Sequence, residues 1–254
     1  MLSLLKGRYV VRVAAAEADL QAAQRLRWLC FIGARNGTQD GTNGARLDAD
    51  HLDDVCQHVL IEDRASGTLV ACFRMLLLQG GAEIERSYSA QHYNLAALRE
   101  FNGPMVEIGR FCIHPEWSDP DILRVAWGAL ATHVEAEGVE LLFGCSSFFG
   151  TEPGAYTDAF AMLAARHLAP KRWLPRVKAP NVFRFARVLK AMRPDARRAQ
   201  AGMPPLLRSY LAMGGWVSDH AVVDRKLGTL HVFTGLEISA IPPARRRLLR
   251  AIGG

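Results

Sequence analysis

A strand, a long helix and a second strand follow one another between residues 105 and 147, and this order constrains the fold most. The first strand is MVEIGRFCI. Asp119-Pro120 then begins a helix, because Asp is a favoured N-cap residue and Pro a favoured first helical residue. The helix ends at Gly138, a typical C-terminal stop, and VELLFGCSS forms the second strand. A tight turn cannot join parallel strands, so this order predicts a parallel crossover and an α/β fold.

Apolar residues at strand and helix spacing place the other elements. Alternation predicts a strand in RYVVRVA, and helical spacing predicts a helix in EADLQAAQRLRWLCFIGA. A loop rich in Gly, Asn and Asp covers residues 35–50, and HVLIEDRASGTLVACFRMLLL predicts a hairpin that turns near residues 65–67. Helices in AYTDAFAMLAARHL and LLRSYLAM, and short strands such as TLHVFTGL, complete the prediction of a mixed central sheet flanked by helices.

The composition changes after Pro170. Residues 171–198 contain ten Lys or Arg residues and one acidic residue, Asp195. We therefore predict a core over residues 1–168, and over residues 169–254 a basic helical segment with a C-terminal part that completes the sheet, both in one continuous domain. VFRFARVLKAM has the pattern of an amphipathic helix, and the final ARRRLLRAIGG is short enough to be a frayed end.

Charge and hydropathy limit the classes of function. Half of the residues are hydrophobic and the mean hydropathy is +0.03, so a sizeable core can form. The net charge of +6 and the pI of about 9.3 favour anionic partners, namely nucleic acid, an anionic membrane surface or an acidic protein. Arg74 interrupts the longest apolar run, MLSLLKGRYVV lacks a signal-peptide pattern, and five cysteines without a CxxC pair are typical of a reducing cytosol. We expect a cytoplasmic protein that lies at most on the inner membrane face.

The strand MVEIGRFCI carries two charges where apolar residues are expected. Arg110 follows Glu107 by three positions, an odd offset, so regular alternation places the two side chains on opposite faces. A bulge at Gly109 would bring both side chains toward one opening. Arg74 and Asp53 also lie among apolar neighbours. The four charges either form internal ion pairs or converge on one polar cleft.

Five segments fall in the order and spacing of the GNAT-fold acyltransferases that use acyl carrier protein: RLRWLCF, DADHLDDVCQHVLI, LVACFRML, MVEIGRFCIHPE and LLFGCSSF. The acyl-homoserine lactone synthases share this sparse pattern. The chain more closely resembles the ornithine-lipid N-acyltransferases, through D-x-x-D-x-x-C-x-H (Asp50, Asp53, Cys56 and His58) and through the tail PPLLRSYLAMGGWVSDHAVVDRKLGTLHVF. The resemblance extends from about Arg8 to about Glu237.

The resemblance implies a reaction in which the α-amine of ornithine attacks the thioester of a 3-hydroxyacyl carrier protein, giving lyso-ornithine lipid. Glu107 would be the general base, and backbone N–H groups near Gly109–Phe111 would stabilise the oxyanion. Arg74 or Arg110 would bind the carboxylate of the amino-acid acceptor, and Asp50 or Asp53 would accept a cationic side chain. Glutamine or a similar acceptor, and acyl-homoserine lactone synthesis, stay open.

The other candidate site residues would bind substrate or assist the leaving group. They are Arg25 and Phe31 on the first helix, Ser146 and Ser147 at the phosphopantetheine arm or the thioester, and Tyr156, which would protonate the leaving thiol. The alternatives are strand-end hydrogen bonding for the two serines and core packing for Tyr156. We predict no metal site, because no His or carboxylate residues show ligand spacing.

The junction HPEWSDPDILRVAWG argues for a carrier-protein donor. It lacks the Q/R-x-x-G-x-G/A loop that cradles the coenzyme A pyrophosphate in GNAT enzymes, and its carboxylates would repel phosphates. No cofactor is then needed beyond the 4'-phosphopantetheine arm of acyl carrier protein. Arg184, Arg187 and Lys190 would bind the acidic helix of that partner, and their segment could also lie on anionic lipid or be a solvated face.

Two non-enzymatic alternatives remain at this point. A catalytically silent protein on a membrane surface would keep the same fold. A nucleic-acid-binding protein would fit the pI, but the basic stretch contains no recognisable binding module, so we predict no specific nucleic-acid partner.

Overall fold

A computed structural model describes residues 3–33 and 46–253 of the chain, so most of the predicted loop over residues 35–50 lies outside the described residues. The strands, in chain order, are β1 (Ser3–Lys6), β2 (Tyr9–Val13), β3 (Gln57–Asp63), β4 (Leu69–Leu78), β5 (Tyr93–Asn94), β6 (Met105–Ile113), β7 (Leu141–Phe149), β8 (Arg176–Val177), β9 (Val182–Phe183), β10 (Trp216–Asp224) and β11 (Thr229–Glu237). The α-helices are α1 (Glu17–Trp28), α2 (Ser89–His92), α3 (Pro120–Ala136), α4 (Thr157–Arg166), α5 (Phe185–Val188), α6 (Ala196–Gly202), α7 (Pro205–Ala212) and α8 (Pro243–Gly253). The predicted α/β class with a mixed sheet flanked by helices is confirmed.

The described residues form two compact units. The first unit comprises Met1–Leu77, Ile108–Gly138 and Pro243–Gly254, and the second comprises Leu78–Glu107 and Val139–Pro242. Within the described residues, each helix is too short or too polar to span a lipid bilayer. The division at residue 168 stays a prediction.

In the first unit, antiparallel strands β1, β2, β3 and β4 lie side by side in that order. The turn between β3 and β4 falls at the predicted residues 65–67. Helix α1 covers these strands with an apolar stripe, because Ala23 and Leu26 pack against Leu60, Cys72 and Cys112. The stripe holds α1 in place, and α1 supplies polar side chains to the site described below.

Helix α3 begins and ends where its sequence predicts. The Asp119 carboxylate accepts the backbone N–H of Asp121 at 2.9 Å, and Gly138 adopts the left-handed conformation with φ +60°. Helix α8 packs along α3 so closely that a Cβ on Gly128 would lie 2.4 Å from the Ile252 Cγ2. The predicted frayed C-terminus is therefore wrong: this end is a helix, because its apolar face has α3 to pack against.

In the second unit, β11 pairs with β7 over nine residues, and β10 and β9 follow on its other side. Alternation gives this sheet two different faces. Phe148 and Val232 belong to a core cluster with α4, whereas Cys145, Ser147 and His231 lie on the opposite face by alternation and register. The second face carries a thiol, a hydroxyl and an imidazole among its side chains.

The segment VFRFARVLKAM is not one amphipathic helix. Its first two residues form β9 and pair with Val222 and Ala221 of β10, and only the single turn of α5 is helical. Sheet hydrogen bonds therefore compete with the helix at its start. The buried Phe185 then fixes α5 against the core, which leaves the basic side chains of the segment at the surface.

Candidate functional site

Three arginines and three aspartates form one ion network in the first unit. Its members are Arg27 from α1, Asp48, Asp50 and Asp53 from the segment before β3, Arg74 from β4 and Arg110 from β6. Three positive and three negative side chains leave these six groups without net charge. The network uses every charge that the sequence analysis placed in apolar surroundings except Glu107.

Arg27 is the most buried member, with a side chain that is 0% exposed. Its guanidinium donates to both carboxylate oxygens of Asp53, at 2.8 and 3.0 Å, which is the bidentate geometry that Arg forms best. It also donates to the Asp48 carboxylate at 3.1 Å and to the Asp48 carbonyl. Gln24, one turn earlier on α1, adds a donor to Asp53 at 2.9 Å.

Arg74 and Arg110 connect the interior of the network to its partly exposed members. Arg74 donates to Asp53 at 2.8 Å and to Asp50 at 2.5 Å. Arg110 donates to Asp48 at 2.9 Å and to Asp50 at 3.3 Å. The Asp50 and Arg110 side chains are 23% and 12% exposed, so they form the rim of the network.

Hydrogen bonds inside the network keep the Asp50 and Asp53 carboxylates ionised. Burial alone would raise the pKa of Asp53, but hydrogen bonds from Arg27, Gln24 and Arg74 outweigh it and hold that pKa below its ordinary value. The pKa of Asp50 is likewise raised by burial, but it is lowered more by Arg74 and Arg110. A cluster with matched charges and low carboxyl pKa values can bind a zwitterion at its rim without changing its own protonation.

The predicted irregularity in β6 lies at Arg110 rather than at Gly109. Among the described residues, Arg110 alone of the non-glycine residues has a positive φ, +52°. This conformation is costly for a residue with a Cβ, and such strain clusters at functional sites. The ion pairs of Arg110 with Asp48 and Asp50 hold the side chain in this orientation.

The sequence analysis chose Arg25 on α1, and the structure favours its neighbour Arg27. Arg25 is exposed, whereas Arg27 is in the network. Arg27 follows Ala23 by four residues, so it interrupts the apolar stripe of α1, and this was the signal that could have identified it. Asp48 was also missed. Phe31, in the π-helical turn Leu29–Gly33, packs on the core cluster beneath α1.

Glu107 lies in the second unit, 4% exposed, with its carboxylate against the start of α2. It accepts the backbone N–H of Tyr88 at 2.8 Å and that of Ser89 at 2.7 Å. The Ser89 hydroxyl donates to it at 2.6 Å. These donors stabilise the anion and fix its orientation, as an N-terminal carboxylate does for a helix.

The surroundings of Glu107 include a thiol and a phenol. The Ser89 Oγ lies 3.5 Å from the Cys145 Sγ on β7. Burial, and next the charge of Glu107, raise the pKa of Tyr210 on α7 above its ordinary value. Glu107 is therefore a buried carboxylate whose orientation is fixed by hydrogen bonds.

The two predicted serines on β7 face opposite sides of the sheet. Ser146 is buried, and its hydroxyl accepts a hydrogen bond from Thr234 at 2.9 Å. Ser147 is exposed and lies on the face of Cys145. The structure therefore favours Ser147 over Ser146 as a group that a ligand on this face could contact.

The two aromatic candidates each have structural contacts. Tyr156 donates its hydroxyl to the Phe149 carbonyl at 2.8 Å, and its ring packs on Phe148. Phe111 stacks on Phe73 with ring centroids 5.5 Å apart. The predicted roles, proton donor for Tyr156 and backbone oxyanion donor for Phe111, stay predictions.

The three predicted partner-binding cations are all exposed: Arg184, Arg187 and Lys190. Two large apolar side chains in the same segment are exposed as well, Val188 and Met192. A surface that combines cations with apolar groups can bind an acidic partner that also offers an apolar contact.

Comparison with known proteins identifies the family. A family profile described as an acetyltransferase (GNAT) domain matches residues 26–128. The L-ornithine N(alpha)-acyltransferase of Rhodobacter capsulatus is 33% identical over 94% of this chain and 93% of its own, and that of Brucella abortus is 29% identical over 92% and 86%. A solved structure of a CoA-dependent acyl-homoserine lactone synthase, MesI, matches with a TM-score of 0.49 and 10% identity over 96% of this chain and 95% of its own. The chain is an acyltransferase that belongs to the family of the L-ornithine N(alpha)-acyltransferases.

Proposed function

We propose that this acyltransferase moves a 3-hydroxyacyl group from acyl carrier protein to the α-amine of L-ornithine, giving lyso-ornithine lipid. The observation that carries the proposal is the 33% identity with the Rhodobacter capsulatus enzyme over nearly the full length of both chains. The relatives are named as L-ornithine N(alpha)-acyltransferases, which gives the acceptor and the bond that forms. Experiment must decide whether acyl carrier protein is the donor and whether the transferred acyl group carries a 3-hydroxyl group.

The reaction needs two protons removed from the acceptor nitrogen and one supplied to the leaving thiolate. The neutral α-amine attacks the thioester carbonyl, a tetrahedral oxyanion forms, and the C–S bond breaks to give the amide and the free thiol of the phosphopantetheine arm. The ammonium group of ornithine loses one proton before attack, and the nitrogen loses a second proton from the tetrahedral intermediate. The departing thiolate gains one proton, so one proton is released overall. Amine attack is direct, so no enzyme nucleophile is required. This agrees with thiols such as Cys72 and Cys112, which are buried among apolar groups.

The rim of the ion network is the proposed acceptor site. Ornithine carries an α-carboxylate and a side-chain ammonium, which suit a guanidinium and a carboxylate. Among the network members, Arg110 and Asp50 have the most exposed side chains. We assign the α-carboxylate to Arg110 and the side-chain ammonium to Asp50, while the interior members fix these two groups in place.

The start of α3 supports a donor other than coenzyme A. The N-terminus of a helix attracts phosphate, but here the Asp119 carboxylate already occupies that position and accepts the Asp121 N–H. Asp121 follows in the first turn, paired with Arg124 at 2.6 Å. The two carboxylates at this N-terminus would repel the negative charge of a pyrophosphate group. A carrier protein presents its thioester without that group.

Glu107 is our proposed general base, directly or through one water molecule. Its orientation by Ser89 and its burial suit a carboxylate that must stay ionised and fixed. The same contacts also fit a role in anchoring α2. The two roles predict different results when the carboxylate is removed, as described below.

The basic segment supplies the proposed partner surface. Arg184, Arg187 and Lys190 would bind the acidic helix of acyl carrier protein, and Val188 and Met192 would add apolar contact. We propose that the same segment lies against anionic membrane lipid after the lipid product forms. Binding to phosphatidylglycerol vesicles, but not to phosphatidylcholine vesicles, is the expected result of a sedimentation assay.

A competition assay tests donor and acceptor together. Purified protein receives a 3-hydroxyacyl carrier protein, the same acyl group on coenzyme A, or the carrier protein with an unsubstituted acyl group. Each donor meets an equimolar panel of amino acids that includes ornithine and glutamine, and mass spectrometry identifies the N-acyl products. We expect N-acyl ornithine from the 3-hydroxyacyl carrier protein. Product mainly from coenzyme A, or mainly on glutamine, would replace the donor or the acceptor in the proposal.

Matched variants test the residue roles. Glu107→Gln should lower kcat about 10²-fold to 10⁴-fold, while Glu152→Gln, at an exposed glutamate of the same unit, should leave it unchanged. An anchoring role alone would instead lower the melting temperature and spare kcat in the folded fraction. Asp50→Asn should raise the KM for ornithine far more than that for glutamine. Reversing charge at Arg184 and Arg187 should raise the KM for the carrier protein, and the same change at the exposed Arg225 should not.

A further inference from the structure

The second unit contains a second cluster of polar side chains, apart from the residues used above. His92 ends α2, Asp224 ends β10, and His231 lies on β11. One ligand atom from each residue lies within 4.8 Å of the other two. We propose that these three side chains bind a divalent transition-metal ion, and that zinc is the ion that fits them best.

The tautomer of His231 is the first argument. Tyr93 donates its single hydroxyl hydrogen to the His231 carbonyl, with the oxygens 2.7 Å apart. The contact at 3.2 Å between the same hydroxyl oxygen and His231 Nδ1 therefore needs the proton on Nδ1. The lone pair then lies on Nε2, which is the form of imidazole that binds a metal.

The second argument is that this lone pair has no partner. His231 is 2% exposed, and its Nε2 makes no hydrogen bond within the described residues. Buried polar atoms nearly always have a hydrogen-bond partner, so an unpaired buried nitrogen indicates that a ligand binds to it. A metal ion satisfies it, and Tyr93 then has the orienting role that outer partners of metal-bound histidines have.

The third argument concerns the other two ligands. The Asp224 carboxylate is fixed by the backbone N–H of Leu227, which donates to Oδ1 at 2.9 Å. Asp224 and His231 occupy diagonal positions on one face of the β10–β11 pair, because Val222 is opposite His231. The His92 ring packs edge-on against His231, with centroids 5.0 Å apart. Both outer ligands are only partly buried, so an ion can reach the cluster from solvent.

Zinc suits this set of donors. Two imidazoles and one carboxylate, with a water molecule as fourth ligand, form a common zinc set with bonds of about 2.0–2.2 Å. Such bonds place ligand atoms about 3.4 Å apart, so atoms within 4.8 Å need only small side-chain rotations. Sequence spacing predicted no metal site, because the three ligands come from segments that are far apart in the chain.

A bound ion would join the last residue of α2 to the β10–β11 hairpin. The first residue of α2, Ser89, holds the Glu107 carboxylate. The ion would thereby slow the opening of α2. Amide hydrogen exchange in residues 88–93 should slow when zinc is added, and this readout does not depend on catalytic activity.

Metal binding is tested with full-length protein purified without a histidine tag and stripped with chelator. Isothermal titration with zinc chloride and elemental analysis after gel filtration should give one zinc ion per chain. Cobalt in place of zinc should give the visible absorption of a tetrahedral ion. Zinc should also raise the melting temperature by several degrees, because an ion that binds only the folded state stabilises it.

Two variants locate the ion and one controls for exposed histidine. Asp224→Asn and His92→Gln should each weaken zinc binding at least tenfold and abolish the zinc-dependent rise in melting temperature. His51→Gln, at an exposed histidine of the first unit, should change neither. Both ligand variants affect partly exposed side chains, so at least one should fold. No zinc in the wild-type protein, or zinc that survives both substitutions, would overturn the proposal.

Discussion

The interior of the ion network should contribute to stability in a way that one substitution can measure. Arg27→Met keeps an unbranched side chain of similar length and removes the guanidinium. Asp53 then loses two charge-assisted hydrogen bonds, at 2.8 and 3.0 Å, and Asp48 loses one at 3.1 Å. The charges of the network change from three positive and three negative to two positive and three negative.

The expected cost follows from that imbalance. Removing one partner of a buried ion pair leaves an uncompensated charge, which costs about 3–5 kcal/mol. The total free energy of unfolding of a domain is only about 5–15 kcal/mol, so the variant should lose about a fifth of it or more. At about 2–4 °C per kcal/mol for a chain of this size, the melting temperature should fall by roughly 6–20 °C.

Urea denaturation followed by fluorescence gives the free energy of unfolding and the m-value, and an unchanged m-value shows that the unfolded state is unaltered. Arg25→Met, at the exposed arginine of the same helix, is the control and should stay within about 0.5 kcal/mol of the wild type. The double variant Arg27→Met, Asp53→Asn should recover part of the loss, because the second change removes the stranded charge. A loss below about 1 kcal/mol for Arg27→Met, or no recovery in the double variant, would refute the reasoning.

Three further predictions rest on other parts of the structure. Burial lowers the pKa of His231 to about 3, so below pH 6.5 the unfolded chain binds a proton that the folded chain does not. In the presence of chelator, the free energy of unfolding should therefore decrease as the pH is lowered from about 6.5 to 3, by at most about 1.4 kcal/mol per pH unit. The variant His231→Gln should show a weaker dependence on pH. Gly128→Ala should destabilise the protein by about 1–3 kcal/mol, since its Cβ would lie 2.4 Å from the Ile252 Cγ2, and limited proteolysis should release α8 first. Ser89→Ala should lower kcat, because Glu107 loses a donor at 2.6 Å, whereas Thr157→Ala, at a helix start without contact to Glu107, should not.

Helix caps and turn residues predicted those helices and strands whose first and last residues depend only on their neighbours in the sequence. Helix α3 begins at Asp119-Pro120 and ends at Gly138 because cap chemistry acts within one turn of the chain. The β3–β4 hairpin turns at residues 65–67 for the same reason. Where the stabilising contacts are local, the sequence is sufficient.

Predictions failed where a distant partner decides the outcome. Residues 182–183 have helical spacing, but pairing with β10 makes them a strand. The C-terminal segment looks frayed until α3 offers it a surface. Arg27 and Asp48 were missed because each has its role only when α1 and the segment before β3 meet.

The two explanations offered for the buried charges, internal pairing and function, apply to different depths of one network. Arg27 has a 0% exposed side chain and can contact only other protein groups, whereas the Asp50 side chain is 23% exposed and can also contact a ligand. Stability should therefore depend on the interior members, and affinity for the acceptor should depend on the rim. Asp50→Asn should accordingly raise the KM for ornithine while changing the free energy of unfolding by less than Arg27→Met does. If both variants changed stability equally and neither changed KM, the network would be structural throughout, and the acceptor site would have to be sought among other residues.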